Sequence, residues 1–166
     1  GVAAVKVAGG LEDEVQVLID ADRLSQLNLS ASIVVDRLKQ KHDRPFFLAV
    51  GFWKPHAPFN APKKYWDLYD PKKLPPLDPA RPKEAPEVAF HDSREILGIP
   101  PKQIKPNTEQ AAEMRHGYFA NISYMDAQVG RVLDEMDRLH LSKNTLVVLW
   151  GDNGWHFGDN GAWTKH

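Results

Sequence analysis

Residues 46–52 read FFLAVGF, and residues 53–59 continue the chain as WKPHAPF. The first stretch is a continuous apolar run of strand length, which is typical of a strand buried on both faces of a sheet. The second stretch is a corner rich in proline. A corner requires neither a lysine nor a histidine, so Lys54 and His56 are candidates for a functional role.

The sequence on either side of this run predicts an α/β fold. A helix is predicted over residues 31–41, with Ser30 or Ser32 as its N-cap and basic residues at its end. A helix that leads directly into a buried strand is typical of an α/β sheet. A second apolar run, LVVLW at residues 146–150, predicts another buried strand, and it ends in the segment GDNG at 151–154.

A proline-rich part and a helical part separate the two predicted strands. Every proline except Pro45 lies within residues 55–106, which excludes long helices and central strands there. Its aromatic residues argue against a flexible linker, and residues 63–69 favour one or two helical turns. A capping sequence at Thr108 then begins a long helix, whose apolar stripe predicts a core-facing side. The stripe consists of Tyr118, Ile122, Met125, Val129, Val132, Met136 and Leu139.

The composition excludes several classes of protein. The chain of 166 residues carries 21 basic and 22 acidic residues, which argues against a dedicated nucleic-acid binder. It contains no cysteine, so a disulfide, a thiolate nucleophile and a thiolate metal site are all excluded. No apolar run reaches the roughly eighteen residues of a membrane span, and residues 1–14 lack a signal-peptide pattern. We therefore expect a soluble chain of one domain's length.

Polar side chains follow both predicted strands, where open α/β sheets bind their ligands. Asp152 and Asn153 supply oxygen ligands suited to calcium or magnesium. A turn without any metal is the alternative interpretation of the segment GDNG. Lys165, close after this pair, is a candidate contact for an anionic oxygen, although a solvated lysine is the more common case.

His56 lies on a segment that Pro55 and Pro58 stiffen, because each proline restricts its own φ and the residue before it. Such stiffness suits a side chain that must donate a proton or a hydrogen bond at a set position. The alternative is a surface loop whose histidine has only a structural role.

Three blocks of the sequence together resemble consecutive blocks of the type I sulfatases, most closely the iduronate-2-sulfatase-like branch. They are RPFFLAVGFWKPHAPFNAPKKYWDLYDP from Arg44, RHGYFANISYMDAQVGRVLDEMDRL from Arg115 and NTLVVLWGDNGWHFGDNGAWTKH from Asn144. The resemblance runs from about Ile33 to His166. It implies that the chain forms part of an alkaline-phosphatase-like α/β/α sandwich with a mostly parallel sheet.

The resemblance also implies an activity and its residues. Type I sulfatases hydrolyse sulfate esters, such as those of sulfated sugars, with a calcium ion and a formylglycine made from cysteine or serine. Asp152 and Asn153 resemble the calcium ligands, with magnesium as the second choice of metal. His56 resembles the histidine that contacts the sulfate and helps the leaving oxygen depart. Lys165 resembles the lysine that holds a sulfate oxygen, and Lys54 is a further candidate for substrate binding.

Some features depart from the family pattern. Asn153 and Trp53 stand where the iduronate branch often has histidine, which argues against an iduronate substrate. The formylglycine motif, C-x-P-x-R or S-x-P-x-R, occurs nowhere in the chain, and the paired aspartates that complete the metal site are also missing. We therefore expect residues 1–166 to be an internal part of a sulfatase catalytic domain, with a proline-rich insert at 54–106, that is inactive in isolation.

Two alternative functions remain open at this point. One is a phosphodiesterase or phosphonate hydrolase of the same superfamily, which needs the same cation and anion contacts. The other is a non-catalytic module that binds anions or carbohydrates. The resemblance suggests a periplasmic, secreted or lysosomal-type compartment.

Overall fold

The structure is a computed structural model that describes residues 5–7, 14–19, 32–40, 45–90, 96, 106–163 and 165. The chain divides into two compact units. The first unit combines Gly1–His56 with Ile122–Val147, and the second combines Ala57–Asn121 with Val148–His166. None of the helices in the described ranges has the length and apolar character that crossing a bilayer requires.

A three-stranded sheet forms the centre of the first unit. Its strands β1 (Val5–Val7), β2 (Glu14–Ile19) and β3 (Phe47–Phe52) lie in sequence order across the sheet. β1 pairs with β2 in antiparallel orientation, and β2 pairs with β3 in parallel orientation. β3 confirms the strand predicted from FFLAVGF. β2 was not predicted, because its strand character depends on pairing with β1 and β3, which a local sequence pattern does not show.

Helix α1 (Ser32–Leu38) lies in the connection between the parallel strands β2 and β3 and confirms the predicted helix over most of its length. The N-cap candidate Ser30 lies outside the described residues. Val34 and Leu38 of α1 are buried and pack in one hydrophobic cluster with side chains of β3. These β3 side chains are Leu48, Val50 and Phe52. Because they alternate along the strand, they share one face of the sheet.

The prediction that β3 is buried on both faces is wrong for this structure. Phe47 is 62% exposed, and the other residues of the strand are only partly buried. A continuous apolar run indicates a demand for burial on two faces. The described cluster covers only the face that bears Leu48, Val50 and Phe52.

Two further helices are described: α2 (Lys63–Trp66), a four-residue helix in the proline-rich part, and the long helix α3 (Thr108–Arg138). Before α3, the Asn107 side chain accepts a hydrogen bond from the Gln110 N–H at 2.9 Å, and the Gln110 side chain accepts one from the Asn107 N–H at 3.0 Å. The helix therefore starts where predicted, but this reciprocal capping box uses Asn107 and not Thr108 as its capping residue.

The C-terminal part of α3 belongs to the core of the first unit. Met136 is buried in the hydrophobic cluster with α1, and Val132 and Leu139 pack against it, as the apolar stripe predicts. Beyond the helix, His140 adopts a left-handed conformation with φ of 58°. The N–H of Leu141 then donates to the carbonyl oxygen of Met136 at 2.9 Å. This arrangement ends the helix in the way of a Schellman motif.

The predicted buried strand at residues 146–150 is wrong in this structure. The run forms no strand, and its five side chains are between 52% and 89% exposed. A strand requires a neighbour that satisfies its backbone N–H and C=O groups. In the part of the chain that the structure describes, β1, β2 and β3 pair only with one another.

Residues 57–90 of the proline-rich part pack against the N-terminal half of α3 within the second unit. Trp66 of α2 donates from Nε1 to the carbonyl oxygen of Ala61 at 3.1 Å. His116 of α3 contacts the carbonyl oxygen of Trp66 at 2.9 Å, and Arg115 donates to the carbonyl oxygen of Pro75. These contacts support the expectation that the segment is not a flexible linker.

Candidate functional site

The segment that follows β3 carries Lys54 and His56 in the first unit. The N–H of His56 donates to the carbonyl oxygen of Trp53 at 3.0 Å, and the centroids of their rings lie 4.6 Å apart. The Lys54–Pro55 and Ala57–Pro58 peptide bonds are cis. The turn therefore sets the position of the His56 ring through both a backbone hydrogen bond and a ring contact.

Lys54 is an interior residue, with only 2% of its surface exposed. Burial of an ammonium group is costly unless charged or polar partners compensate for the lost hydration. Lys54 therefore differs from most lysines in proteins, which are exposed to solvent.

Asp152 and Asn153 lie together on an exposed segment of the second unit. The Asp152 carboxylate accepts a hydrogen bond from the N–H of Asn153 at 3.0 Å. Gly151 precedes the pair in open space, since a Cβ atom there would have no neighbour within 4 Å. The side chains of Asp152 and Asn153 are themselves exposed.

The chemistry of this pair fits part of a calcium site. Calcium takes about six to eight oxygen ligands, mainly carboxylate and carbonyl or amide oxygens. Asp152 and Asn153 supply one side chain of each kind. The described ranges contain no group of three or more acidic or histidine side chains that could hold a metal. The pair thus fits a calcium ion only as a portion of its ligand shell.

Tyr118 of α3 is a residue of this region that the sequence did not single out. A Cβ atom at Gly154 would lie 3.9 Å from the phenolic oxygen of Tyr118. Burial raises the pKa of the Tyr118 phenol, and the negative charge of Asp152 raises this pKa further. Tyr118 therefore stays protonated beside the proposed metal ligand. From the sequence, Tyr118 was assigned only to the apolar stripe, so its position near Asp152 was not predicted.

An aromatic cluster of Phe59, Tyr118, Trp155 and Phe157 holds the segment after Asn153. The Phe59 ring meets the other three edge to face, at centroid distances of 5.9, 5.5 and 5.1 Å. The Trp155 and Phe157 rings stack at 5.9 Å with an interplanar angle of 27°. These ring contacts hold Trp155 against Phe59 and Phe157.

Lys165 lies against this aromatic cluster. Its Nζ atom is 5.3 Å from the centroid of the Trp155 ring, within the range of a cation–π contact. In the second unit the structure thus gives positions for Asp152, Asn153 and Lys165, and it adds Tyr118 and Trp155 as their neighbours. His56 and Lys54 belong to the first unit.

Comparison with solved structures identifies the class of fold. The structure is similar to a phosphonate monoester hydrolase from Silicibacter pomeroyi, with a TM-score of 0.59 and 26% sequence identity. The match covers 80% of this chain and 29% of that one. The chain therefore forms part of an alkaline-phosphatase-like α/β fold, as the sequence predicted.

Sequence comparisons then identify the family. The model of the family described as Sulfatase matches residues 26–166, so the chain belongs to the sulfatase family. It is 32% identical to a "Sulfatase" of Formosa agariphila over 160 residues, which are 89% of this chain and 29% of that protein. It is 38% identical to "Iduronate 2-sulfatase" of Mus musculus over 133 residues, 74% of this chain and 24% of that protein.

A third relative has a different substrate in its name. "Choline-sulfatase" of Rhizobium meliloti is 37% identical over 123 residues, which are 74% of this chain and 24% of that protein. The chain thus spans between 24% and 29% of the length of these relatives. Two named substrates occur at almost the same identity, so the comparisons give the family but not one substrate.

Proposed function

We propose that the whole protein to which this chain belongs hydrolyses sulfate esters, with a sulfated sugar or a related compound as substrate. The single observation that supports this proposal most strongly is the match of the Sulfatase family model over residues 26–166. That range includes both the segment WKPH and the segment GDNG, in which the candidate residues lie.

We assign roles to the candidate residues on the basis of family membership and their chemistry. His56 contacts the sulfate group and donates a proton to the departing oxygen, a task for which an imidazole side chain is well suited. Lys165 holds a sulfate oxygen through its positive charge, and Lys54 contributes to the same task of binding the anion. The ammonium groups of Lys165 and Lys54, together with the proton from His56, thereby offset the negative charge that develops during cleavage.

The proposed metal ligands are Asp152 and Asn153, and the metal is a divalent cation, calcium in preference to magnesium. A bound calcium ion would neutralise sulfate oxygens and favour attack on sulfur. Tyr118, kept protonated beside Asp152, adds no negative charge to that region. The nucleophile, a formylglycine, is expected outside residues 1–166, because neither form of its motif occurs in this sequence.

A comparison of two substrates tests this proposal. The full-length protein is assayed with 4-nitrophenyl sulfate and with bis(4-nitrophenyl) phosphate, which release the same chromophore. We expect kcat/KM to be higher for the sulfate ester. A higher kcat/KM for the phosphate diester would favour hydrolysis of phosphate esters in place of this proposal. Failure of protein that contains formylglycine to turn over either compound would contradict the proposal.

The second candidate function is hydrolysis of phosphonate or phosphate esters. The structural similarity to a phosphonate monoester hydrolase favours it, since a cation and an anion-binding lysine serve either type of ester. The same pair of substrates distinguishes it from sulfate ester hydrolysis.

A further inference from the structure

Residues 156–163 form a loop that is closed by its own backbone. The N–H of Gly158 donates to the carbonyl oxygen of Ala162 at 2.8 Å, and the N–H of Ala162 donates to the backbone carbonyl oxygen of Asp159 at 3.0 Å. The ring of Trp163 covers Gly158, where a Cβ atom would lie 3.2 Å from the ring. Gly158 has φ of 99°, a conformation that favours glycine. The loop therefore has a defined shape.

Two hydrogen bonds attach this loop to the proline-rich part of the same unit. The Asp159 carboxylate accepts a hydrogen bond from the N–H of Asp78 at 2.9 Å. The N–H of Asn160 donates to the carbonyl oxygen of Asp78 at 2.6 Å. One residue of the proline-rich part is thus held through both of its backbone polar groups, 81 positions away from Asp159 in the sequence.

Arg81 makes the attachment closer still. A Cβ atom at Gly161 would lie only 2.6 Å from Cγ of Arg81, so the arginine stem packs directly on the loop backbone. The guanidinium group of Arg81 lies over the Phe90 ring at 4.2 Å from its centroid, and it pairs with Glu87 at 3.3 Å. The proline-rich part therefore offers the loop a surface that is itself held in place.

The loop leads into Lys165, only two residues after Trp163. The ammonium group of Lys165 lies over Trp155, which the aromatic cluster restricts. Trp163, two positions before Lys165 in the sequence, packs on Gly158 of the loop, and the loop is attached to Asp78. The charged end of the lysine thus contacts Trp155, and the nearest described residue before it is held by the loop.

We propose that Asp159 is a positioning residue for Lys165. Its carboxylate holds the backbone of Asp78, this contact keeps the 156–163 loop in place, and the loop places the Lys165 ammonium group where it binds an anion. The inference rests on the proposed function, in which Lys165 holds a sulfate oxygen. It assigns the proline-rich part a role in the geometry of the site.

The test uses the full-length protein, 4-nitrophenyl sulfate as substrate and inorganic sulfate as a competing anion. Asp159→Ala is expected to raise both KM and the Ki of sulfate about fivefold, because loss of this hydrogen bond frees the loop. Asp159→Asn keeps an acceptor oxygen and is expected to restore most of the affinity. If only the negative charge of Asp159 mattered, both variants would bind sulfate more tightly and its Ki would fall. Loss of the hydrogen bond raises this Ki instead, so the direction of the change distinguishes the two causes.

Asp70→Ala is the matched control. The Asp70 carboxylate also accepts a backbone hydrogen bond in the proline-rich part, from the N–H of Lys72 at 3.0 Å, but this bond supports only its own turn. We expect unchanged KM and Ki in this variant. If Asp159→Ala does not fold, Arg81→Ala removes the other side chain of the attachment from a partly exposed position and is expected to raise the Ki of sulfate two- to threefold.

A double variant separates positioning from general loss of structure. In a Lys165→Ala background, Asp159→Ala is expected to cause no further rise in the Ki of sulfate, because the group that it positions is gone. The inference would be overturned if the two substitutions raised the Ki of sulfate independently, so that their fold-changes multiply in the double variant. It would also be overturned if Lys165→Ala raised the Ki of sulfate and Asp159→Ala left it unchanged. An unchanged Ki in Lys165→Ala would instead overturn the role of Lys165 in the proposed function, and the inference with it.

Discussion

Gly117 of α3 lies directly against the main chain of Phe59. A Cβ atom at Gly117 would be 2.7 Å from the carbonyl oxygen of Phe59 and 2.7 Å from the ring of Trp66. Real Cβ atoms do not approach a backbone oxygen so closely, so only glycine fits this position. The contact brings the proline-rich part onto α3 and places Phe59 within the aromatic cluster.

Substitution of this glycine should therefore destabilise the protein. Alanine favours a helix over glycine by about 1 kcal/mol. At Gly117 we nevertheless expect Gly117→Ala to lower the free energy of unfolding by about 1–3 kcal/mol, because the Phe59 backbone must move. Gly130 in the same helix is the control, since a Cβ atom there would have no neighbour within 4 Å.

Gly130→Ala is expected to raise the free energy of unfolding by about 0.5–1 kcal/mol. Chemical denaturation of the two variants measures both changes. A raised free energy of unfolding in both variants would show that the close approach of Gly117 to Phe59 is absent.

The end of α3 offers a second test of stability. His140 has φ of 58°, a left-handed conformation that costs a side chain free energy and glycine almost none. We expect His140→Gly to raise the free energy of unfolding by about 0.5–1 kcal/mol. His140→Ala keeps the strained conformation and serves as the control. Equal changes in the melting temperature of both variants would contradict the left-handed cap.

The ionisation of Tyr118 provides a test that depends on pH. Burial and then the charge of Asp152 raise the pKa of Tyr118 in the folded protein. The neutral phenol thus contributes stability below the unfolded-state pKa of about 10, and this stability is lost as the pH rises through the higher folded-state pKa. We expect Tyr118→Phe to lose less stability than the wild type between pH 9 and about 12, measured by denaturation in calcium-free buffer.

Ultraviolet titration measures the same ionisation directly. The tyrosinate absorbance of the folded protein should contain one late-titrating component that is absent from Tyr118→Phe. Asp152→Asn should move this component towards lower pH without restoring an ordinary pKa, because burial is the larger cause. An unchanged late component in Tyr118→Phe would mean that another tyrosine is responsible.

Much of the fold could be predicted from local sequence patterns. β3, α1 and α3 were found because an apolar run, helical spacing and a capping box are properties of short segments. β2 was missed because its strand character depends on pairing with β1 and β3. The run at 146–150 was wrongly predicted to be a strand, because its apolar residues indicate burial, whereas a strand also requires a neighbouring strand to pair with.

The candidate site was also predicted only in part. His56, Lys54, Asp152, Asn153 and Lys165 were selected by residue type and by resemblance to a family. The contributions of Tyr118 and Asp159 depend on contacts between distant parts of the chain, and neither residue type is unusual where it stands. A single sequence contains no local signal for such contacts.

The most direct test of the proposed function is the turnover of 4-nitrophenyl sulfate by the full-length, calcium-loaded protein with His56→Ala or Asp152→Ala. Asp36→Ala, which removes the exposed ion pair between Asp36 of α1 and Lys39, serves as the control. We predict that each of the two site variants lowers kcat/KM about a hundredfold or more and that Asp152→Ala also binds less calcium, whereas the control matches the wild type. Wild-type kcat/KM in both site variants would contradict the assignment of this chain's residues to a sulfatase active site.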